Sequence, residues 1–231
     1  MDLIWEGITR AGWLVLAGDP EVLGITWLSL QVSGAATLLS LLVGLPLGTL
    51  LALARFPGRG LAISLVNTGM GLPPVVVGLF VSILLWRSGP LGALELLYTP
   101  TAIVLAQFVI AAPIVTGLTL AAVQQIPEAF GLQMLALGAS RAQLVWVLGR
   151  EARLPMLAAL MAGFGAVISE VGASLMVGGN IRGQTRVLTT ATVLETGKGN
   201  FDVAIALSVI LLAVTFVVNW VLTWLQQRRR A

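Results

Sequence analysis

Glu170 stands alone as a charge within the apolar run Leu154–Ile181. An ionisable residue in such a run is a functional site by default when the run lies in a membrane. Three states are open to it: pairing with Arg182 or Arg186, accepting hydrogen bonds from backbone donors, or standing protonated. A bare carboxylate repels an anion in transit, so Glu170 with its neighbour Ser169 reads as a gate-supporting or structural pair. A second feature is Asn67-Thr-Gly-Met-Gly-Leu-Pro-Pro-Val-Val-Val-Gly78. Pro73 and Pro74 remove two backbone donors, and Gly71 weakens the turn before them. In lipid the freed carbonyls need partners, so this backbone should face protein or water. A half-helix starting at Pro73 would present N–H groups and partial positive charge, which suit a passing anion. Either that segment, with Asn67, Gly71, Pro73 and Pro74, lines a pathway, or it is a kink that shapes packing.

Two further segments offer contacts. Gly178-Gly-Asn-Ile-Arg-Gly-Gln-Thr-Arg186, followed by Thr189 and Thr190, gathers two arginines and several hydroxyls in a glycine-rich loop. Asn180, Arg182, Thr185, Arg186, Thr189 and Thr190 are candidates to hold an oxyanion or the rim of a partner protein. The same arginines also suit a positive mouth that only balances charge. No lysine and hydroxyl pair follows the glycines, so this is not a nucleotide-phosphate loop. Pro127–Gly138 reads as a short helix closed by Gly138 at its C-terminal end. Ser140-Arg-Ala-Gln143 fits a capping box that starts a second helix running to about Arg153. The two helices and their tight corner form a knuckle suited to a partner's groove, or else an amphipathic connector.

The elements that must position these residues follow from composition. The chain has 231 residues, 58% hydrophobic and 10% charged, with mean hydropathy +0.98. Soluble domains carry about 25% charged residues, so a water-soluble globule is excluded. The chain contains no histidine and no cysteine, which removes the usual general base, thiolate metal ligands and a disulfide framework. The formal net charge is only +3, and three basic residues cluster at Arg228, Arg229 and Arg230. That cluster reads as an orientation signal rather than a nucleic-acid patch.

Apolar stretches long enough to span a bilayer, charge-free but for Glu170 in the fourth, predict five membrane helices: Val22–Ala54, Gly60–Trp86, Leu96–Pro127, Leu154–Ile181 and Val203–Gln227. Met1–Ala17 is short and charged for a span, and reads as an interfacial helix with Trp5 and Trp13 at headgroup depth. Basic residues in the connections favour the N-terminus outside and the C-terminus in the cytoplasm. Small residues four apart, Ser33/Thr37 and Gly44/Gly48, permit close helix packing. Five spans make a thin wall for a solute, which a second copy would complete.

Together these segments resemble the transmembrane subunit of ATP-binding-cassette importers, nearest the molybdate, sulfate and tungstate permeases. Gly138-Ala139-Ser140 matches that superfamily's coupling loop, although Leu132-Gln133-Met134 stands where Glu-Ala-Ala is usual. The tungstate-type pattern is carried by Gly71-Leu-Pro-Pro-Val-Val-Val-Gly78, Ser169-Glu-Val-Gly-Ala173, Met176-Val-Gly-Gly-Asn-Ile181 and Thr185-Arg-Val-Leu-Thr-Thr190.

The resemblance implies an all-α polytopic membrane protein of the type I importer class, with about five transmembrane helices. Residues 1–231 form one permease domain, residues 1–21 an N-terminal interfacial segment and residues 127–153 a cytoplasmic coupling loop. Within that loop Glu128, Gly138, Ala139, Ser140 and Arg141 would meet the ATPase. It implies import of tungstate across a prokaryotic inner membrane by a homodimer. Two cytoplasmic ATPase subunits would hold the ATP and magnesium, this chain binding no cofactor, and an extracytoplasmic tungstate-binding protein would deliver the anion. No Walker motif occurs in this chain, in keeping with that division. Membrane lipid is the remaining contact, and nucleic acid is not. Alternatives are molybdate, vanadate or another oxyanion as cargo, or an ATP-independent channel or secondary carrier.

Overall fold

The computed structural model describes the backbone of residues 2–228 and the side chains of residues 4–227. Met1, Arg229 and Arg230, the last two part of the expected orientation signal, lie outside the described residues. The chain is built of helices: α1 (Asp2–Leu16), α2 (Pro20–Leu53), α3 (Arg59–Met70), α4 (Pro74–Leu85), α5 (Pro100–Gln124), α6 (Glu128–Ala136), α7 (Arg141–Glu151), α8 (Arg153–Ile168), α9 (Gly172–Gly178), α10 (Leu188–Gly197) and α11 (Phe201–Arg228). A 3₁₀ turn, Gly92–Leu94, sits between α4 and α5.

Local chemistry sets the starts of the long helices. Asp19 caps α2 by accepting from the Glu21 and Val22 N–H groups at 3.0 Å each, and Pro20 occupies the first turn. Thr99 and Pro100 do the same for α5. Both follow the preference for a short polar acceptor and then proline at a helix start.

Helices α2, α5 and α11 are long and apolar enough to cross a membrane, and two bent pairs bring the spans to as many as five. The second expected span is such a pair. Helices α3 and α4 meet at 103°, because Gly71-Leu72-Pro73 interrupts the backbone ladder; α4 begins at Pro74, with Pro73 at its cap. The fourth expected span, Leu154–Ile181, is not one helix. α8 stops at Ile168, Ser169–Val171 break the rod, and the short α9 follows. The helix paired with α8 is instead α7, across a 65° bend at Ala152.

The core is the seam between α2 and α5. Ser29, Ser33, Ala36, Thr37, Ser40, Gly44 and Gly48 form the buried stripe of α2. A Cβ on Gly48 would lie 2.6 Å from the Thr116 carbonyl and 2.7 Å from Thr119 Cβ, and one on Gly44 2.8 Å from Val115. The hydroxyls on this stripe donate to their own helix, Thr37 to the Ser33 carbonyl and Ser40 to Ala36. Small residues therefore bring two helix backbones together while the hydroxyls of Thr37 and Ser40 stay paired within their own helix. Around this seam α8 packs on α5, α4 packs on α9, and α10 packs on α11.

The N-terminal helix is tied to protein as well as presenting an apolar surface. Gly7, Ala11 and Leu14 are buried, the latter two beside Ala206, Leu207 and Ile210 of α11. Arg10 pairs with Asp202. Ile4, Trp5, Ile8, Trp13, Val15 and Leu16 remain exposed, alongside the exposed Glu6, Thr9 and Arg10, so its outer side carries a broad apolar surface with a polar strip.

Gly48→Leu should push α2 away from α5 and lower the apparent melting temperature in detergent, since overpacking a tight core costs about 1–3 kcal/mol. Gly34→Ala meets nothing within 4 Å and should leave it unchanged or slightly raised. Equal melting of wild type and Gly48→Leu would mean that the seam is not tight.

Candidate functional site: the two helix breaks and the loops at either end

The two interruptions lie against each other. A Cβ on Gly172, at the start of α9, would sit 2.6 Å from Val75 Cγ2 and 3.6 Å from the Val75 nitrogen, at the start of α4. One on Gly78 would sit 2.7 Å from the Ala173 Cα. Gly71, Pro73 and Pro74 lead into Val75, and Ser169 and Glu170 lead into Gly172, so the two breaks adjoin; Asn67 is exposed one turn back on α3.

Glu170 is 5% exposed and takes the second of its three expected states. Its Oε1 accepts from the Ala173 N–H at 2.7 Å, and its Oε2 from the Ser174 N–H at 2.9 Å and the Ser174 hydroxyl at 2.8 Å. These are the donors that a helix start leaves unpaired. An acidic side chain there also faces the positive end of α9.

The cap is held from two sides. Gln107 on α5, 2% exposed, donates Nε2 to the Val167 carbonyl at 3.0 Å and to Ser174 Oγ at 3.5 Å. Thr189 of α10 donates to the Glu170 carbonyl at 2.8 Å, and the next N–H back, that of Leu188, donates to Ser29 Oγ of α2. One polar network thus joins α2, α5, α8, α9 and α10 through the break. Gln107 was not among the residues singled out from sequence; a lone amide within a charge-free span was the available signal.

Helix α4 differs from α9 at the same level. No side chain caps it, and Pro73, Pro74, Val75 and Val76 are exposed. Its N-terminal end is open on the surface of the chain, where its partial positive charge can face an anion.

At one end of the molecule the loop after α9 is pinned shut. Thr185 donates to the Gly178 carbonyl at 2.5 Å and accepts from the Ile181 N–H at 3.0 Å. Thr190 exchanges bonds with Val187, and Asn180 Nδ2 donates to the Thr190 carbonyl at 3.3 Å. The Thr185 and Thr190 hydroxyls are buried and spent on this loop, and that of Thr189 on the Glu170 carbonyl, so all three turn inward. Arg182 and Arg186 both reach Glu21 of α2 rather than Glu170, Arg182 with its Nε at 2.8 Å and Arg186 with its Nη1 at 3.4 Å. The hydrogen bond to Glu21, and then its charge, hold the Arg182 guanidinium above its ordinary pKa.

The knuckle sits at the other end. Gly138 adopts φ +87°, its N–H donates to the Leu135 carbonyl, and the Ala139 N–H donates to that of Met134. This double bond pattern closes α6 through a left-handed residue. Ser140 and Gln143 then exchange both bonds of a capping box, and Arg141 begins α7. Glu128 pairs at 3.3 Å with Arg55 of the α2–α3 connection, and Gln226 of α11 donates to the Leu154 carbonyl. The knuckle, the α2–α3 turn and the end of α11 therefore share one end.

Comparison with known proteins bears on what such an arrangement does. A family model described as binding-protein-dependent transport system inner membrane component matches residues 44–231. A probable anion ABC transporter permease protein of Haloferax volcanii is 44% identical over 203 residues, covering 86% of this chain and 88% of that protein. The tungstate uptake system permease protein TupB of Peptoclostridium acidaminophilum is 37% identical, covering 98% and 100%. TupB of Campylobacter jejuni is 34% identical, covering 96% and 92%. Among solved structures, a chain of the MetNI methionine ABC transporter in an inward-facing form superposes with TM-score 0.73 at 22% identity, over 90% of this chain and 95% of that one. A chain of an amino acid ABC transporter gives 0.69 at 18%, over 93% and 96%. These two likenesses concern the fold.

Glu170→Ala should leave three donors of α9 without acceptors, costing at least ~2 kcal/mol from the lost cap and the buried unpaired groups. Hydrogen exchange at the α9 amides should quicken accordingly, with a smaller effect for Glu170→Gln. Unchanged exchange in Glu170→Ala would dismiss the cap as the element that holds the break.

Proposed function

We propose that this chain, which belongs to the family of binding-protein-dependent transport system inner membrane components, is the permease subunit of an ATP-binding-cassette importer that carries tungstate into the cytoplasm. The observation that carries the substrate is the likeness, over nearly the whole chain, to two tungstate uptake permeases at 37% and 34% identity. The break residues fit an anion. The exposed start of α4 offers partial positive charge without a fixed cation, so a tetrahedral dianion is helped through and is not trapped. Glu170 is spent on α9, which keeps its charge off that path.

In this reading two copies enclose the pathway between them, and an extracytoplasmic binding protein delivers the anion to one end. Two ATPase subunits hold ATP and magnesium and dock on the knuckle at the other; this chain binds no cofactor and catalyses no reaction. The N-terminus lies outside and the C-terminus inside a prokaryotic inner membrane. Support for that orientation is the grouping of Arg55, Arg59, Arg141, Arg150 and Arg153 around the knuckle end, where Arg55 meets Glu128. The knuckle's rigid corner suits it to convey motion, since Gly138 and the Ser140 cap fix the angle between α6 and α7. Motion there reaches the breaks through α8, whose end is held by Gln107.

Proteoliposomes containing the chain, its ATPase and its binding protein should accumulate tungstate only with ATP. Uptake that proceeds without the ATPase would assign the chain to a channel or secondary carrier. Gly138→Pro should cut ATP-dependent uptake more than about tenfold with the chain still inserted, because proline cannot adopt the positive φ of this corner. Wild-type uptake in that variant would remove the knuckle from the coupling path.

A further inference from the structure

The cleft between the N-terminal end of α2 and the loop after α9 has a polar rim and an apolar wall. It encloses about 460 Å³, and its lining includes Arg182, Arg186 and Glu21 at the rim and Gly24, Ile25 and Leu28 along the wall. Both guanidiniums hydrogen-bond the Glu21 carboxylate there. Each guanidinium carries a fork of N–H donors, and only three of those donors reach Glu21. The Arg186 side chain is 16% exposed, and its Nε has no partner among the described residues. Glu195 and Asp19 lie close enough for their charges to act on Arg186 and Arg182 respectively, yet neither bonds the Arg186 Nε, and that enclosed donor is left for a further acceptor.

Position along α2 says what kind of anion. The helix has 34 residues, or about 51 Å at ~1.5 Å per residue. That exceeds the roughly 40–45 Å of a whole bilayer, so its first turns reach the headgroup layer. Trp27, 63% exposed, lies about 9 Å along the axis from Glu21 and marks the level of the interface, as tryptophan does in membrane proteins. The arginines sit above that level and the apolar wall runs down from it.

We infer that this cleft is a lipid site, which takes the phosphate of a phospholipid between Arg182 and Arg186 and lays its glycerol and upper chain along Gly24, Ile25 and Leu28. A free oxyanion would use the arginines alone and leave the apolar wall unused. A headgroup phosphate gains from both surfaces. Glu21 then tunes the site: paired with Arg182, it limits how strongly the pocket draws anionic lipid.

The full chain in nanodiscs of phosphatidylcholine with a minority of phosphatidylglycerol, extracted and weighed by native mass spectrometry, tests this. Wild type should retain phosphatidylglycerol, and Arg186→Gln should retain about tenfold less, the equivalent of ~1.4 kcal/mol. Glu21→Gln should retain more. Gly24→Leu fills the wall without touching the ion pairs, since a Cβ there meets nothing within 4 Å, and should lower retention as far as Arg186→Gln does. Retention unaltered by Gly24→Leu, or phosphatidylglycerol displaced by millimolar inorganic phosphate, would overturn the lipid assignment.

Discussion

A broken helix inside a membrane protein must find partners for its freed backbone donors within the protein, because lipid supplies none. Here that demand is met by one carboxylate. Glu170 takes two N–H groups and a hydroxyl at the start of α9, and its own carbonyl is held by Thr189. Without this cap, the first donors of α9 would stand unpaired in a buried position. With it, a short helix stands beside α4, and the two breaks share one level. The open start of α4 and the closed start of α9 are two answers to the same backbone problem. One uses prolines, which have no donor to satisfy; the other uses an acid.

The network needs a firm frame. The α2–α5 seam supplies it through glycine and hydroxyl residues that let the backbones approach. Gln107 projects from the same α5, and Ser29 from the same α2. The seam that packs the protein therefore also aims the side chains that hold the break. Similar economy holds at the knuckle, where a left-handed glycine and a capping box set the angle of two short helices using local bonds alone.

Much of this organisation was legible in the sequence. Apolar stretches announced the long helices, Pro73-Pro74 the break in the second span, and Gly138 with Ser140–Gln143 the knuckle. Those features are written in local chemistry: a missing donor, a residue without Cβ, a serine three residues before a glutamine. The break in the fourth span was less legible, since Ser169-Glu-Val171 contains no proline and its effect depends on where the carboxylate points. The arginine partner was equally hidden. Glu21 lies 161 residues from Arg182, and no spacing rule joins them.

What the amino-acid sequence determined by itself was the solvent and the periodicity of the fold. With 10% charged residues and no histidine or cysteine, the chain is committed to lipid and to helices that satisfy their own backbones. What only the tertiary structure decided was the fate of each polar group left over. Glu170 had three possible states and took the backbone donors of α9; Arg182 and Arg186 had that acid or another and reached Glu21; Thr185 and Thr190 turned inward to hold a loop and Thr189 to hold the break. The reason is physical. Periodicity and capping act between residues a turn apart, whereas the pairing of a buried charge is settled by whichever complementary group the packed helices bring within about 3 Å.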